Sequence, residues 1–487
     1  MIPSRFWSTL EQESPEPECT GGLTEPTRTE PTWYSMVSGI GKLLMAGVAG
    51  AVAALSWATP NLSAEQPKPL PDIVYLISDD QAWSDYSFMG HEQIQTPQLD
   101  RLARESLLFT RGYVPDSLCR PSLATMISGL YPHQHGIVGN DPPPSSKVAK
   151  SAGRSRGGLY RDPTYQQDIE QYLKLHIDRM KTLPDRLKPL GYRSLQTGKW
   201  WEGNYARGGF DAGMTHGDHT RGGRHGDVGL SVGRTTFEPI ASFIQESKAA
   251  GKPYFLWYAP FLPHTPHTPP QDLLDKYLKL APTESIAKYW AMCEWFDQSI
   301  GQVRSAIEEH GNPDNTIIVY VCDNGWINLP DRSAYAARSK RSHYDGGIRT
   351  PIMVHWPGHV EPRRDETHLA SSIDMVPTVL GLLGQPADPE LPGINLADST
   401  LVENRDTLYG EILEHDIQSM DDPQSSLMYR WCIEGDMKLV VPENARVPDA
   451  EVELYNVVLD PWETKNLAEQ QPELVAKLRS KIDAWWP

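Results

Sequence analysis

The stretch Ile73-Val74-Tyr75-Leu76-Ile77-Ser78-Asp79-Asp80 decides the fold. It is an apolar run of strand length that ends in two adjacent carboxylates. A strand with one wet face alternates apolar and polar residues. A near-continuous run marks a strand covered on both faces, as in a parallel sheet. Four more runs of this kind follow, at Tyr192–Thr197, Tyr254–Ala259, Thr316–Cys322 and Ile352–Trp356. Helical patterns separate them, at Pro97–Phe109, Pro239–Ala250, Ser285–His310 and Asp374–Leu383. Thr96 and Pro97 stand where an N-cap and a first helical residue are expected. Strands alternating with helices predict an α/β fold, a large mostly parallel sheet sandwiched by helices.

Beyond residue 400 the pattern changes. Arg430–Ile433, Lys438–Val441 and Glu453–Val457 are short strand-like runs with turn signals between them, and Pro472–Trp486 has a helical pattern. This predicts a smaller C-terminal antiparallel sheet with one covering helix.

The other end of the chain looks different again. Residues 1–35 are rich in Pro, Glu and Thr and carry no apolar period. Met36, Lys42, the apolar run Leu43–Ala58 and Leu62-Ser63-Ala64 have the layout of an export leader, with a mature chain beginning near Glu65. The run is too short, and too rich in Ala and Gly, for a spanning helix. The expected organisation is therefore an N-terminal extension at 1–35, a signal peptide at 36–64, an α/β domain at 70–400 and an α+β subdomain at 401–487. The protein is expected outside the cytoplasm, periplasmic or extracellular, with no stable membrane insertion.

The formal net charge of -18 excludes nucleic acid and anionic membrane surfaces as partners. It leaves room for a small anionic substrate, because a local cluster of Lys, His and metal outweighs a distant, screened acidic surface. Cysteines beyond the leader stand only at 119, 293, 322 and 432, with no metal spacing and no dense disulfide framework. Cys293 and Cys322 lie in apolar patterns and read as core thiols.

The candidate site begins at the strand ends. The first run ends in Asp79-Asp80 and the fourth in Asp323-Asn324-Gly325. In an open α/β sheet, ligands bind beyond the carboxyl ends of the strands. Three carboxylates and an amide oxygen there would repel one another without a cation. All are hard oxygen donors, which favours calcium or magnesium over zinc. Taken singly, either pair also reads as a turn or cap. Cys119, in Ser117-Leu118-Cys119-Arg120-Pro121-Ser122-Leu123, stands just before a predicted helix that stops at Gly129. That position suits an anion, an activated nucleophile or an ordinary thiol.

The Cys119 segment resembles the sulfatase signature, in which a Cys two residues before a Pro is oxidised to formylglycine. The resemblance runs over most of residues 72–470, in the family's order. Asp79-Asp80 and Asp323-Asn324-Gly325 resemble its two metal pairs, and Gly198-Lys199-Trp200 its Gly-Lys-Trp motif. Pro263-His264-Thr265-Pro266-His267 resembles its His-bearing loop. Lys340, ahead of Tyr344-Asp345-Gly346-Gly347-Ile348-Arg349-Thr350-Pro351, resembles its second Lys segment. Ile373-Asp374-Met375-Val376-Pro377-Thr378, Leu454-Tyr455-Asn456 and Asp460-Pro461-Trp462-Glu463-Thr464-Lys465-Asn466-Leu467 match later landmarks.

The resemblance implies an alkaline-phosphatase-like fold and hydrolysis of an organic sulfate ester of the carbohydrate class. It implies a calcium ion rather than magnesium, held by Asp79, Asp80, Asp323, Asn324 and residue 119. It also implies conversion of Cys119 by a formylglycine-generating enzyme. Lys199 and Lys340 would hold sulfate oxygens. His264 would protonate the leaving oxygen, with His267 as its rival for that role. Trp201, Tyr205 and the His/Arg-rich loop Glu202–Arg234 would meet the sugar, as would the loop Asp141–Gly158. His216, His219 and His225 are candidate contacts, whereas His133 and His135 read as structural. Two positions depart from the family pattern: Leu123 stands in place of an Arg, and Trp201 in place of a His. Two other readings accompany this one. One is a phosphodiester or phosphonate monoester hydrolase on the same fold. The other is a non-catalytic sulfoglycan-binding protein.

Overall fold

The computed structural model describes residues 69–145, 159 and 162–487. The extension at 1–35, the leader at 36–64 and most of the loop Asp141–Gly158 lie outside the described residues. Residues Leu70–Pro487 form one compact unit.

The large sheet contains, in chain order, β1 Asp72–Ser78, β2 Leu107–Tyr113, β3 Arg193–Gly198, β4 Ala212–Gly213, β5 Tyr254–Ala259, β6 Thr316–Cys322, β7 Arg349–His355, β8 Arg363–Asp365 and β9 Ala370–Ser371. Their spatial order is β4-β3-β5-β1-β6-β7-β2-β8, and β9 also pairs with β2. β1 lies at the centre, parallel to β5 and to β6. β7 alone runs against the rest. The mostly parallel sheet expected from the sequence is present.

Both faces of this sheet are covered. Ile73, Tyr75 and Ile77 join one apolar cluster with Leu123, Met126 and Ile127 of the helix Cys119–Ser128 and with Val376 and Val379 of the helix Met375–Leu382. Val74 and Leu76 join the other, with Ile240, Phe243 and Ile244 of the helix Glu238–Ala249 and with Phe296, Ile300 and Val303 of the helix Glu284–His310. Side chains alternate across a strand, so a run buried on both faces must be apolar throughout. Each such Val, Leu or Ile contributes roughly 1.5–3 kcal/mol by leaving water.

The helix expected over Pro97–Phe109 is a correction. It ends at Glu105, and Leu107–Phe109 open β2 instead. A short apolar run fits either period, and burial between β7 and β8 selects the strand. Thr96 does not cap this helix. Its hydroxyl turns to Ser87 and Asp100. Asp297, from the long helix Glu284–His310, accepts the Gln98 and Leu99 amides at 3.1 and 2.8 Å instead.

The C-terminal sheet is antiparallel, in the order β10 Thr407–Leu413, β11 Leu427–Glu434, β12 Met437–Pro442 and β13 Glu453–Asn456. The helix Pro472–Trp485 lays Leu478 and Ile482 on Cys432, Leu439 and Leu454. β10 escaped the sequence reading because its centre is Gly410-Glu411. Gly410 sits flat against the Trp431 ring, where a Cβ would lie 2.2 Å from a ring carbon. Glu411 is buried against His133, with 2.7 Å to its ring. Among the described residues, no helix is long and apolar enough to cross a membrane.

Candidate active site

Four strand ends and one helix start converge. Consecutive strand residues point to opposite faces. Asp80 breaks that rule with a φ of 64°, a left-handed turn that Asp tolerates better than most residues. The Asp79 amide is held by Leu262 O at 3.0 Å, and the Asp80 amide reaches Asp323 Oδ1 at 3.1 Å. Gly325 is obligatory after Asn324, because a Cβ there would stand 2.0 Å from Gly346 O. Lys199 follows β3, and its amide bonds Ala259 O at 2.6 Å. Cys119 is the first residue of its helix rather than standing just before it, as expected from the sequence, and Gly129 ends that helix with a φ of 77°.

The side chains meet in one buried cluster. Lys199 Nζ lies 2.6 Å from Asp79 Oδ1 and 3.0 Å from Asp323 Oδ2. Lys340 Nζ lies 2.8 Å from Asp80 Oδ1. Asn324 Nδ2 donates to Asp80 Oδ1 at 2.6 Å, and its Oδ1 accepts from Cys119 Sγ at 3.5 Å. His264 Nε2 stands 3.4 Å from Asp80 Oδ2. One ligand atom from each of Asp79, Asp80, Cys119 and His264 falls within 4.8 Å of the others.

The charges do not balance. Three buried carboxylates face two ammonium groups. Asp79 Oδ2 is buried with no hydrogen-bond partner among the described residues. Burial pushes the Asp79 carboxyl well up, and the neighbouring Asp323 charge adds to this. Both effects are relieved by a cation, so the donor set suits a divalent ion. Burial works against the Lys199 ammonium, but Asp323 and Asp79 hold it above its ordinary value. Burial pushes the Cys119 thiol up to about 12, against the pull of Lys199 and Lys340. Burial, Lys340 and Lys199 together hold His264 well below the usual histidine range. Its Nδ1 faces Thr265 O at 2.6 Å, which leaves Nε2 toward the cluster.

The structure separates His264 from His267. His267 is 6% exposed, lies against the Tyr289 and Trp326 rings, and has both ring nitrogens buried without a partner among the described residues. Trp201 is 6% exposed, edge-on to His225 and beneath the Arg224 guanidinium. Arg120 turns away from the cluster into a buried pair with Glu202, 2.7 Å from Nε to Oε1. Leu123 packs in the core beneath the sheet. His133 is stacked on Trp486 and bonded to Glu411, and His135 faces Thr125 at 3.3 Å. His216 meets the edge of Tyr205.

Two neighbours were invisible in the sequence. Phe261 stacks on the His264 ring at 4.1 Å and lies under Lys199. The Arg234 guanidinium donates to Phe261 O and to His264 O, pinning that loop. Neither position carries a motif, and only the path of the chain brings them here.

The Sulfatase family model matches residues 71–385, well over half of the chain. The chain belongs to the sulfatase family. It is a hydrolase of sulfuric ester bonds. A second match, to the N-sulphoglucosamine sulphohydrolase C-terminal model, covers residues 335–485 of this sulfatase. The human N-acetylgalactosamine-6-sulfatase is 27% identical over 379 residues, 70% of this chain and 67% of that one. A Formosa agariphila sulfatase is 25% identical over 513 residues, 88% of this chain and 91% of that one. The crystal structure of the phosphonate monoester hydrolase of Agrobacterium radiobacter shares the fold of this sulfatase, with a TM-score of 0.61 at 18% identity over 85% of this chain and 95% of that one.

Proposed function

We propose that this sulfatase removes sulfate from a sulfated carbohydrate, with Cys119 converted to formylglycine and a calcium ion held by Asp79, Asp80, Asp323 and Asn324. The observation that carries the reading is the pairing of Lys199 and Lys340 with the strand-end carboxylates beside residue 119. Hard oxygen donors from flexible carboxylates and an amide favour calcium, with magnesium the lesser candidate. When bound, the ion neutralises sulfate charge and the formylglycine hydrate supplies the attacking hydroxyl.

The chain's own residues do the rest. Lys199 and Lys340 hold sulfate oxygens and stabilise the charge that develops on them. Both ammoniums are already fixed by carboxylates, so little reorganisation is needed on binding. His264, with its Nδ1–H spent on Thr265 O, can act as the acid from Nε2 only after taking up a second proton from solvent, and it then passes that proton to the leaving oxygen. Burial and the two ammoniums disfavour that charged ring in the free site, and the negative sulfate favours it as it enters. A buried thiol at about 12 is almost wholly protonated at neutral pH, which makes unmodified Cys119 a poor nucleophile.

The sugar class rests on the relatives, which include an N-acetylgalactosamine-6-sulfatase. In this reading Trp201, itself buried, backs the substrate side of the site, with Arg224 over its face and His225 at its edge. His267 is a further substrate contact in this reading. Export through the leader at 36–64 would bring the enzyme to extracellular polymers.

The test coexpresses the chain with a formylglycine-generating enzyme. It measures the mass of the peptide bearing residue 119 and the release of sulfate from a panel of sulfated saccharides and an aryl sulfate, beside an aryl phosphodiester. The expected result is an aldehyde at 119 and faster turnover of a sulfate ester. Full activity with an intact thiol, or preference for the phosphorus ester, would overturn the reading.

A further inference from the structure

Lys340 does not sit on a strand or a long helix. It sits on a turn, Arg338–Tyr344, between the end of β6 and β7. Inside the turn, Ser342 N and Oγ both donate to Ser339 O, at 3.1 and 2.6 Å, and Arg338 lies over the Tyr344 ring at 4.4 Å. The Arg341 amide, at a φ of 67°, donates outward to Ser117 O at 3.3 Å. Asp80 holds the tip of the Lys340 side chain, and the backbone of the turn sets the other end of its reach.

Both ends of this turn are gripped by the C-terminal sheet. Lys438 of β12 is completely buried, a costly place for an ammonium unless it is fully bonded. Its Nζ donates to His343 O and to Asp345 Oδ1, each at 2.9 Å, and pairs with Glu463. Glu463, on the loop after β13, accepts the Asp345 amide at 2.5 Å through Oε2. The backbone oxygen of Glu463 accepts from Arg338 Nη1 at 2.6 Å. Arg338 precedes Lys340 and His343 follows it, so the two clamps hold opposite ends. Asp345 is itself fixed from the large sheet, by Tyr113 at 3.3 Å and Arg349 at 3.5 Å.

We infer that Lys438 and Glu463 are positioning residues for Lys340: they act through the turn Arg338–Tyr344 to set where the Lys340 ammonium meets the substrate. The C-terminal sheet thereby takes part in turnover without touching the reacting atoms. A buried ion cluster suits this task better than an apolar contact, because its hydrogen bonds have direction and specify one backbone arrangement. The inference rests on the function proposed above, in which Lys340 holds a sulfate oxygen.

The test uses the full chain with Lys438→Met, Glu463→Gln and Lys340→Gln, singly and as the Lys438→Met/Lys340→Gln pair, with kcat and KM on an aryl sulfate and a thermal melt for each. Displacing a catalytic group by about 1 Å can lower turnover by up to about 100-fold, so Lys438→Met and Glu463→Gln are expected to lower kcat at least about tenfold per folded molecule. In the Lys340→Gln background the same Lys438→Met change is expected to alter kcat less than about twofold, because the group it positions is gone. A normal kcat in folded Lys438→Met, or an undiminished loss in the Lys340→Gln background, overturns the inference. If Lys438→Met does not fold, Glu463→Gln, which keeps the shape of the side chain, replaces it in the cycle. A wild-type chain that hydrolyses no sulfate ester refutes the proposed function instead. Amide exchange then decides the clamp: faster exchange at Arg341 and Ser342 in Glu463→Gln supports it, and unchanged exchange overturns it.

Discussion

The Lys199 ammonium lies 2.6 Å from Asp79 Oδ1, although β3 and β1 are not neighbours and β5 runs between them. The reach is possible because Gly198, with a φ of 78°, turns the chain over the end of β5. A Cβ at Gly198 would stand 1.9 Å from Ala259 O. Lys199 thus bridges the two acids on β1 and β6 that the sheet alone would leave in repulsion.

Lys199→Met should therefore act in two directions. Sulfate release is expected to fall at least about 100-fold, as for loss of one donor to a developing negative charge. Calcium binding should hold or tighten, because a competing cation has left Asp79 and Asp323. Steady-state kinetics and calorimetric calcium titration check the pair. A parallel loss of calcium affinity would contradict this account.

Removing the metal should destabilise the chain as well as silence it. Asp79 Oδ2 is buried with no hydrogen-bond partner among the described residues, and a bound cation would satisfy it. Calcium at 100 times its dissociation constant should raise stability by about 2.7 kcal/mol, visible as an upward shift in melting temperature. Asp323→Asn should shrink that shift.

Asp297→Ala tests a purely structural feature. It leaves the Gln98 and Leu99 amides without their acceptor, at the start of the helix Pro97–Glu105. The expected loss is roughly 2–4 kcal/mol, from two unpaired donors and an emptied buried site. Denaturant unfolding measures it, and kcat per folded molecule should not change.

Glu453 gives the chain an acid-sensitive element. Burial alone would push its carboxyl up, but hydrogen bonds from His343 at 3.1 Å and from Tyr455 at 2.7 Å carry it down to about 2. A carboxyl depressed in the folded state stabilises it above the unfolded value and loses that contribution as pH falls through the folded one. Stability should thus decline between pH 4.5 and 2. Glu453→Gln should lose about 2 kcal/mol at neutral pH and flatten the decline over that window. Melting curves across the pH range separate the two chains.

Much of this site could be read from local sequence. The strand-end acids Asp79, Asp80 and Asp323 announced themselves because a carboxylate after a doubly buried apolar run has few places to go except the carboxyl edge of the sheet. Lys199 and His264 were legible only as members of an ordered set of motifs. The error at Leu107–Phe109 has a plain cause: three apolar residues satisfy both periods, and the choice lies with the strands beside them. Strand β10 hid behind Gly410 and Glu411, whose burial depends on Trp431 and His133 far away in the chain.

The sequence by itself determined that β1, β3, β5, β6 and β7 are buried strands, and hence the mostly parallel sheet and the edge where oxygen donors gather. It did so because burial on two faces leaves a one-dimensional trace, an unbroken apolar run. Only the tertiary structure decided which histidine faces Asp80, that Arg120 is committed to Glu202, and that Lys438 and Glu463 grip the turn of Lys340. Those are relations between distant segments. They depend on distances and directions among side chains, and no local spacing records them.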